Sequence, residues 1–205
     1  MSILSYFSKD PDKRAKFIFN LIAPYYSKFD KSLQEGFDAS VKVLDKEISI
    51  AGKTVLDIGT GTGAWGAAIN KYGPSKIEGI DFSEKMIKQA KKNHPKINFH
   101  HVNAEDLSDF RDNSFHLVTA SFVLHGVPED KRFKLLKEMK RVSKKYVVLH
   151  DFIGKTPFSI KLLEFLERSD YKHFKKNFYN ELNENFTSAK KIPARYGSGL
   201  YIAVK

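Results

Sequence analysis

Residues 57–66 read DIGTGTGAWG, and two glycine patterns overlap in that run. Gly61-x-Gly63-x-x-Gly66 has the spacing of a dinucleotide fingerprint. Gly59-x-Gly61-x-Gly63, with Asp57 two residues upstream, has the spacing of a loop for a nucleoside cofactor that carries no pyrophosphate. In both, alternating glycines remove the Cβ atoms that would keep a ligand away from backbone N–H groups. Both also need a tight turn from a strand into a helix N-terminus.

The flanking residues supply that setting. KTVLDIG (53–59) is a short apolar run of strand type, and TGAWGAAINKYG (62–73) is a helix closed by Gly73-Pro74. The alternation then continues. KIEGID (76–81), INFHHV (97–102), SFHLVTAS (114–121) and KKYVVLHDF (144–152) read as strands. SEKMIKQAKKNH (83–94), with Ser83 as N-cap, and EDKRFKLLKEMKRV (129–142) read as helices. Such alternation predicts a parallel sheet with helices on both faces.

Upstream, DKRAKFIFNLI and KSLQEGFDASVKVLDKEI read as helices broken by APYYSKFD (23–30). Downstream come helical SIKLLEFLERS and YKHFKKNFYNELNENF. Two last strand-like runs, AKKIPARYG and GLYIAVK, turn through Gly197-Ser198-Gly199 as a hairpin on the sheet edge. The expected fold is α/β: a Rossmann-like, seven-stranded, mostly parallel sheet with helices on both faces, an antiparallel C-terminal hairpin and an N-terminal helical cap. It forms one domain over 1–205, divided into a cap (1–50), a cofactor-binding core (51–153) and substrate-side helices with the hairpin (154–205).

Composition narrows the classes. With 205 residues, 41% of them hydrophobic and 29% charged, the chain has the core and the surface of a soluble domain. No run approaches the roughly 18 apolar residues that span a membrane, and MSILSYFSKD has no secretory-leader pattern. A cytoplasmic location is expected. There is no cysteine, which excludes a disulfide framework and a thiolate nucleophile or metal ligand. The net charge of +11 is spread along the chain, mostly as lysine. A nucleic-acid surface would concentrate it, with arginine and aromatic residues interleaved.

Asp57 separates the two cofactor readings. A pyrophosphate lies over a helix N-terminus, drawn by N–H groups and the helix dipole, and a carboxylate at the loop mouth would repel it. S-adenosylmethionine carries an ammonium, a sulfonium and one carboxylate, so Asp57 near the ammonium is favourable. Asp81, which ends KIEGID, follows at the distance expected of an acid that accepts from ribose hydroxyls. Phe82 and Met86 come next, where apolar side chains cover an adenine or simply fill the core.

The runs VLDIGTGTGAWGAAI, IEGIDFSEKMIKQAK, HVNAEDLSDFRDNSFHLVTASFVLHGV and YVVLHDF resemble, in order, the motifs of class I S-adenosylmethionine-dependent methyltransferases. The resemblance covers about residues 17–152 and is of the methyltransferase type 11 kind. IFNLIAPYYSKFD is similar to the opening of the ubiquinone/menaquinone-biosynthesis branch. The resemblance implies that Asp57, Gly59, Thr60, Gly61 and Gly63 hold the methionine moiety, that Asp81 takes the ribose, and that the backbone around Ala120 and Ser121 faces the ammonium. Tyr26 covers the methionine end. At the adenine the family has Asp-Ala where this chain has Asn103-Ala104, so the contact falls to Asn103, Glu105 or Asp106. His116 stands where the family often has Asp and reads as structural. S-adenosylhomocysteine is the implied product, and no metal is implied.

Methyl transfer from a sulfonium mainly needs placement and exclusion of water, with removal of a proton where the acceptor carries one. His125, in VLHGV after the fourth strand, is the candidate base; the competing reading is a helix-start histidine. His150-Asp151 is a second candidate pair, for a proton shuttle or, on a weak signal, a metal-assisted site, and Tyr171, His173, Tyr179 and Arg195 lie in the segment that roofs the substrate. There is no Asn/Asp-Pro-Pro-Tyr/Phe block after the fourth strand, which disfavours methylation of base amino groups. Tyr25, Tyr26, Phe29 and the aromatic-rich 152–186 segment predict an apolar lid. The expected acceptor is therefore small and partly apolar. Two rivals stand beside it: an RNA or protein methyltransferase using the basic surface, and a non-catalytic cofactor-binding interaction protein. No motif specifies an oligomeric state.

Overall fold

The computed structural model describes residues 34–154, 171–194 and 197–205. Tyr25, Tyr26, Phe29, Arg195 and the stretches DKRAKFIFNLI and SIKLLEFLERS lie outside those residues. The chain enters through helix α1 (34–48), then β1 (Thr54–Ile58), α2 (Ala64–Asn70), β2 (Lys76–Asp81), α3 (Glu84–Asn93) and β3 (Asn98–His101). β4 (Phe115–Ser121), a 3-10 turn (Leu124–Gly126), α4 (Glu129–Val142) and β5 (Ser143–Phe152) follow. Helix α5 (Tyr171–Asn185) and strands β6 (Ser188–Pro193) and β7 (Ser198–Val204) complete it. The seven strands form one sheet in the order β3-β2-β1-β4-β5-β7-β6. β3, β2, β1, β4 and β5 are parallel, and β7 runs antiparallel between β5 and β6. The expected terminal hairpin is present, with β6 at the edge.

Alternation along the strands builds two layers. Val55, Leu117, Val148 and Leu200 face α1, α2 and α3, burying Phe37, Val41, Leu44, Trp65, Ile69 and Ile87. Leu56, Ile58, Val118, Leu149 and Tyr201 face α4 and α5, burying Leu135, Met139, Phe174, Phe178 and Leu182. Because both faces are covered, the strands read as continuous apolar runs rather than alternating ones. A buried arginine joins the helices of the second layer. Arg132 is bidentate to Glu181 at 2.8 and 2.9 Å and donates to the Val127 carbonyl at 2.6 Å.

Strand order reverses at β1, whose two neighbours are β2 and β4. The crevice at the carboxyl end of β1 is where ligands bind in such sheets. Gly63, the N-cap of α2, has φ 87°, and a Cβ there would lie 2.8 Å from the Phe99 ring. Gly63→Ala should therefore destabilise the fold by roughly 2 kcal/mol or more, left-handed strain plus overlap. Gly36 on α1 is the control: a Cβ there meets nothing within 4 Å, so Gly36→Ala should be neutral or stabilise by up to about 1 kcal/mol. Urea melts of the two variants check both signs.

Candidate active site

The glycine loop turns back on itself, with the Gly63 N–H donating to the Thr60 carbonyl at 2.9 Å and the Thr60 N–H to Ile80 at 2.9 Å. Gly59 also has positive φ, and a Cβ on it would overlap Val123 at 2.5 Å. Beneath the loop sits Asp57, on the α2 side of β1. Its Oδ2 accepts from the Thr60 hydroxyl at 2.6 Å, and its carboxylate also takes the Gly66 N–H. A Cβ on Gly66 would stand 3.3 Å from that Oδ2. Gly66 is thus a buried helix residue whose bareness lets α2 close over a carboxylate. Asp57 Oδ1 is buried with no hydrogen-bond partner among the described residues. Burial pushes this carboxyl up to about 7 from its ordinary 3.8; the Thr60 bond pulls it down and the charge of Asp81 raises it.

Asp81 lies across the loop at the end of β2. Its Oδ2 accepts from the Gly61 N–H at 2.9 Å and its Oδ1 from the Ser83 N–H at 2.8 Å. These bonds fix the carboxylate while leaving each oxygen a second lone pair, which is what two adjacent hydroxyls require. Burial raises its pKa, against the two N–H bonds. Ser83 caps α3 by accepting from the Met86 N–H at 3.2 Å. Met86 is buried and Phe82 half-buried beside it.

The adenine-side candidates each have a local partner. Exposed Asn103 accepts the Glu105 N–H on Oδ1 at 3.1 Å, Glu105 pairs with Lys131 at 3.0 Å, and Asp106 accepts the Ser108 N–H at 3.0 Å. The intervening Ala104 packs against the α4–α5 core.

Beyond β4, the His125 ring is buried among Phe122, Phe152, Tyr171 and Phe174. Its Nδ1 lies 2.8 Å from Asp151 Oδ1, and its backbone N–H donates to Asp151 Oδ2 at 3.3 Å. The carboxylate selects the tautomer with the proton on Nδ1 and the lone pair on Nε2. Asp151 is 1% exposed and also receives the Phe152 N–H. The expected His150-Asp151 pair does not exist as a unit. Neighbours on a strand point to opposite faces, so Asp151 joins His125 while His150 packs against Trp65 on the other side.

Of the remaining candidates, Tyr171 borders the His125 pocket, its ring 5.3 Å from Phe152. His173 faces Glu129 at 3.6 Å. Tyr179 is directed elsewhere and donates to the Ala189 carbonyl at 3.0 Å. His116 is structural, its Nδ1 2.9 Å from the Thr54 hydroxyl at the opposite end of the sheet. Among the described residues, Glu129, His173 and Glu181 bring ligand atoms together, but Glu181 is already neutralised by Arg132.

Residues 55–146 match a family model described as a methyltransferase domain. A demethylmenaquinone methyltransferase of Renibacterium salmoninarum is 35% identical over 167 residues, which cover 78% of this chain and 68% of that protein. The chain belongs to the class I S-adenosylmethionine-dependent methyltransferases. A second relative, the demethylmenaquinone methyltransferase of Chlorobaculum parvum, is 32% identical over 133 residues; the match covers 62% of this chain and spans about half, 54%, of that protein's length. In fold, this methyltransferase is similar to a magnesium protoporphyrin IX methyltransferase from Synechocystis with bound cofactor, at a TM-score of 0.63, 20% identity and coverage of 84% and 79% of the two chains. It also matches an Aquifex aeolicus methyltransferase at 0.64, with 22% identity and coverage of 86% and 97%.

The methyltransferase's cofactor is S-adenosylmethionine, and the residues present fit it. A bare glycine cradle, a fixed acceptor at Asp81 and a buried carboxylate oxygen awaiting a donor at Asp57 complement a nucleoside with an ammonium. Reading from sequence overlooked Ser40, Trp65 and Ser198, which surround His150, and Thr119, which holds the Trp65 indole. They come from four separate elements, so no local pattern marks them.

Asp57 has a testable cost. A carboxyl whose folded pKa is raised stabilises the fold fully below its unfolded value of 3.8, and loses that contribution as pH climbs through about 7. Asp57→Asn keeps the acceptor and removes the charge. Without cofactor, the variant should match wild type at pH 4 and exceed it at pH 8 by up to about 4 kcal/mol, as read by urea melts. A difference independent of pH would mean that the carboxylate is solvated.

Proposed function

We propose that this methyltransferase acts on a small, partly apolar acceptor of the hydroxylated aromatic, quinone-like class, with His125 as its base. The observation that carries the reading is the buried His125–Asp151 pair walled by Phe122, Phe152 and Tyr171. Two relatives named as demethylmenaquinone methyltransferases support the acceptor class. When bound, S-adenosylmethionine supplies an activated methyl group. The protein has then to seat a flat, apolar nucleophile, keep water away and accept the proton that the acceptor loses. His125 Nε2 takes that proton, and buried Asp151 stabilises the imidazolium so formed. The aromatic walls exclude water and present ring edges to a planar acceptor. Asp57 and Ser121 meet the ammonium, Asp81 meets the ribose, and Phe82 and Met86 cover the adenine; a cytoplasmic setting belongs to the same reading. Among the described residues no helix is long and apolar enough to cross a membrane.

Incubation with methyl-labelled cofactor and either a quinol panel or an RNA fraction tests the acceptor. Label is expected in the organic-extractable product. Label in RNA, with a binding constant falling steeply with salt, would instead favour the reading that the +11 charge supports. His125→Ala should lower kcat by about 10²–10⁴-fold with cofactor affinity held within about twofold, and Asp151→Asn should lower it less. Unaltered turnover of both variants would remove the dyad from the mechanism.

A further inference from the structure

His150 is the buried titratable group that the mechanism above leaves unused. It is 2% exposed, and burial pushes its pKa down to about 4 against the opposing charge of Asp151, so the ring is neutral at physiological pH. It stacks on Trp65 with centroids 4.8 Å apart and planes 4° off parallel, while Phe37 and Phe122 meet it edge-on. Trp65 is itself held by its indole N–H on the Thr119 hydroxyl at 3.0 Å. Three hydroxyls from three elements close around the ring. Ser121 of β4 lies 3.0 Å from Nδ1; Ser40 of α1 and Ser198 of β7 lie 3.1 and 3.2 Å from Nε2.

The tautomer follows from Ser40. Its hydroxyl donates to the Gly36 carbonyl one turn back on α1, at 3.1 Å, and so can only accept from the ring. A neutral imidazole with its lone pair on Nε2 would set two acceptors against each other at 3.1 Å, which costs the desolvation of both. Nε2 therefore carries the proton, Nδ1 is the acceptor, and the Ser121 hydroxyl must donate to it. That fixes the hydroxyl's orientation. Its proton points inward to His150, and its lone pairs point out along the half-exposed end of β4. There Ser121 follows Ala120, the register partner of Ile58, and shares the sheet face of Asp57. A hydroxyl locked as an acceptor on the same sheet face as a carboxylate, two residues beyond that carboxylate's register partner Thr119, is suited to an ammonium and to no anion.

We infer that His150 is a positioning residue that turns the Ser121 hydroxyl into an obligate acceptor for the ammonium of the cofactor, and that Ser40 ties this setting to the seating of α1. The inference rests on the ammonium lying at Asp57 and Ser121, as the proposed function has it. α1 thereby contributes to cofactor affinity without touching the cofactor.

Calorimetry on the full chain with two ligands tests this. S-adenosylhomocysteine carries the ammonium; 5′-methylthioadenosine has the same nucleoside and thioether but lacks the amino-acid end. Ser121→Ala should weaken S-adenosylhomocysteine about tenfold and Ser40→Ala about threefold, with methylthioadenosine unchanged in both. The double variant should be no weaker than Ser121→Ala alone, because Ser40 acts through Ser121. Imidazole ¹⁵N shifts of the apo protein should report His150 protonated on Nε2. The inference is overturned if Ser40→Ala lowers Tm but leaves S-adenosylhomocysteine affinity intact, if both ligands weaken equally, or if Nδ1 carries the proton. Asp81→Ala separates the two levels: it should weaken both ligands, and if it weakens neither, the cofactor site itself is misplaced and the inference falls with it.

Discussion

Asp57 is a carboxylate that the fold has taken out of water. It lies next to last on β1, where the strand order reverses, and it is covered by α2, whose Gly66 has no side chain to keep the helix away. Much of the loop conformation answers that placement. Thr60 turns inward to bond it, Gly59 and Gly63 adopt left-handed φ so that the chain can pass over it, and α2 starts directly above. The arrangement costs stability, because a buried charge with one oxygen unpartnered among the described residues is poorly solvated. The same arrangement is favourable once a cation arrives, since attraction is stronger where water is excluded. With the ammonium at Asp57, as the proposed function has it, affinity for the cofactor is in this sense stored as a strain of solvation in the fold.

The two layers of the sheet divide the work. In the proposed function the α1–α3 side supplies the groups that meet the cofactor, Asp57 and Ser121, beside the ring system around His150. The α4–α5 side holds His125 with Asp151 and its aromatic walls. Arg132, bidentate to Glu181 and bonded to the Val127 carbonyl, ties the turn that carries His125 to both helices of that layer. On the proposed reading, base and cofactor anchors are set by different packing cores that share only the strands between them.

Much of this was legible in the sequence where the cause is local. The glycine spacing, the Ser83 cap, the helix at 129–142 and the hairpin through Gly197 all depend on backbone conformations that particular residue types dictate. The exclusion of a pyrophosphate also followed from one charge, that of Asp57. What escaped was set by tertiary contact. Ser40 and Ser198 stand 110 and 48 residues from His150 and have no pattern to connect them. Asn103 reads as an adenine acceptor by its place in the motif; its oxygen also accepts the Glu105 N–H, a local bond that the motif does not announce and that leaves it a second lone pair. His150-Asp151 looked like one site because the residues adjoin. The two-residue period of a strand, already visible in KKYVVLHDF, separates them.

That separation makes β5 a part with two outputs and one adjustment. A slip of one residue would exchange the faces, sending the imidazole among the rings around His125 and the carboxylate against Trp65, so both clusters would be lost together. The register is guarded from the β7 side. Gly199 stands opposite Asp151, and any Cβ there would collide with Ile153 at 2.0 Å and with the Ile192 carbonyl at 2.6 Å. A residue with no side chain of its own is thus what lets β7 lie opposite Asp151 in the observed alignment, the one that keeps His150 and Asp151 on their separate faces.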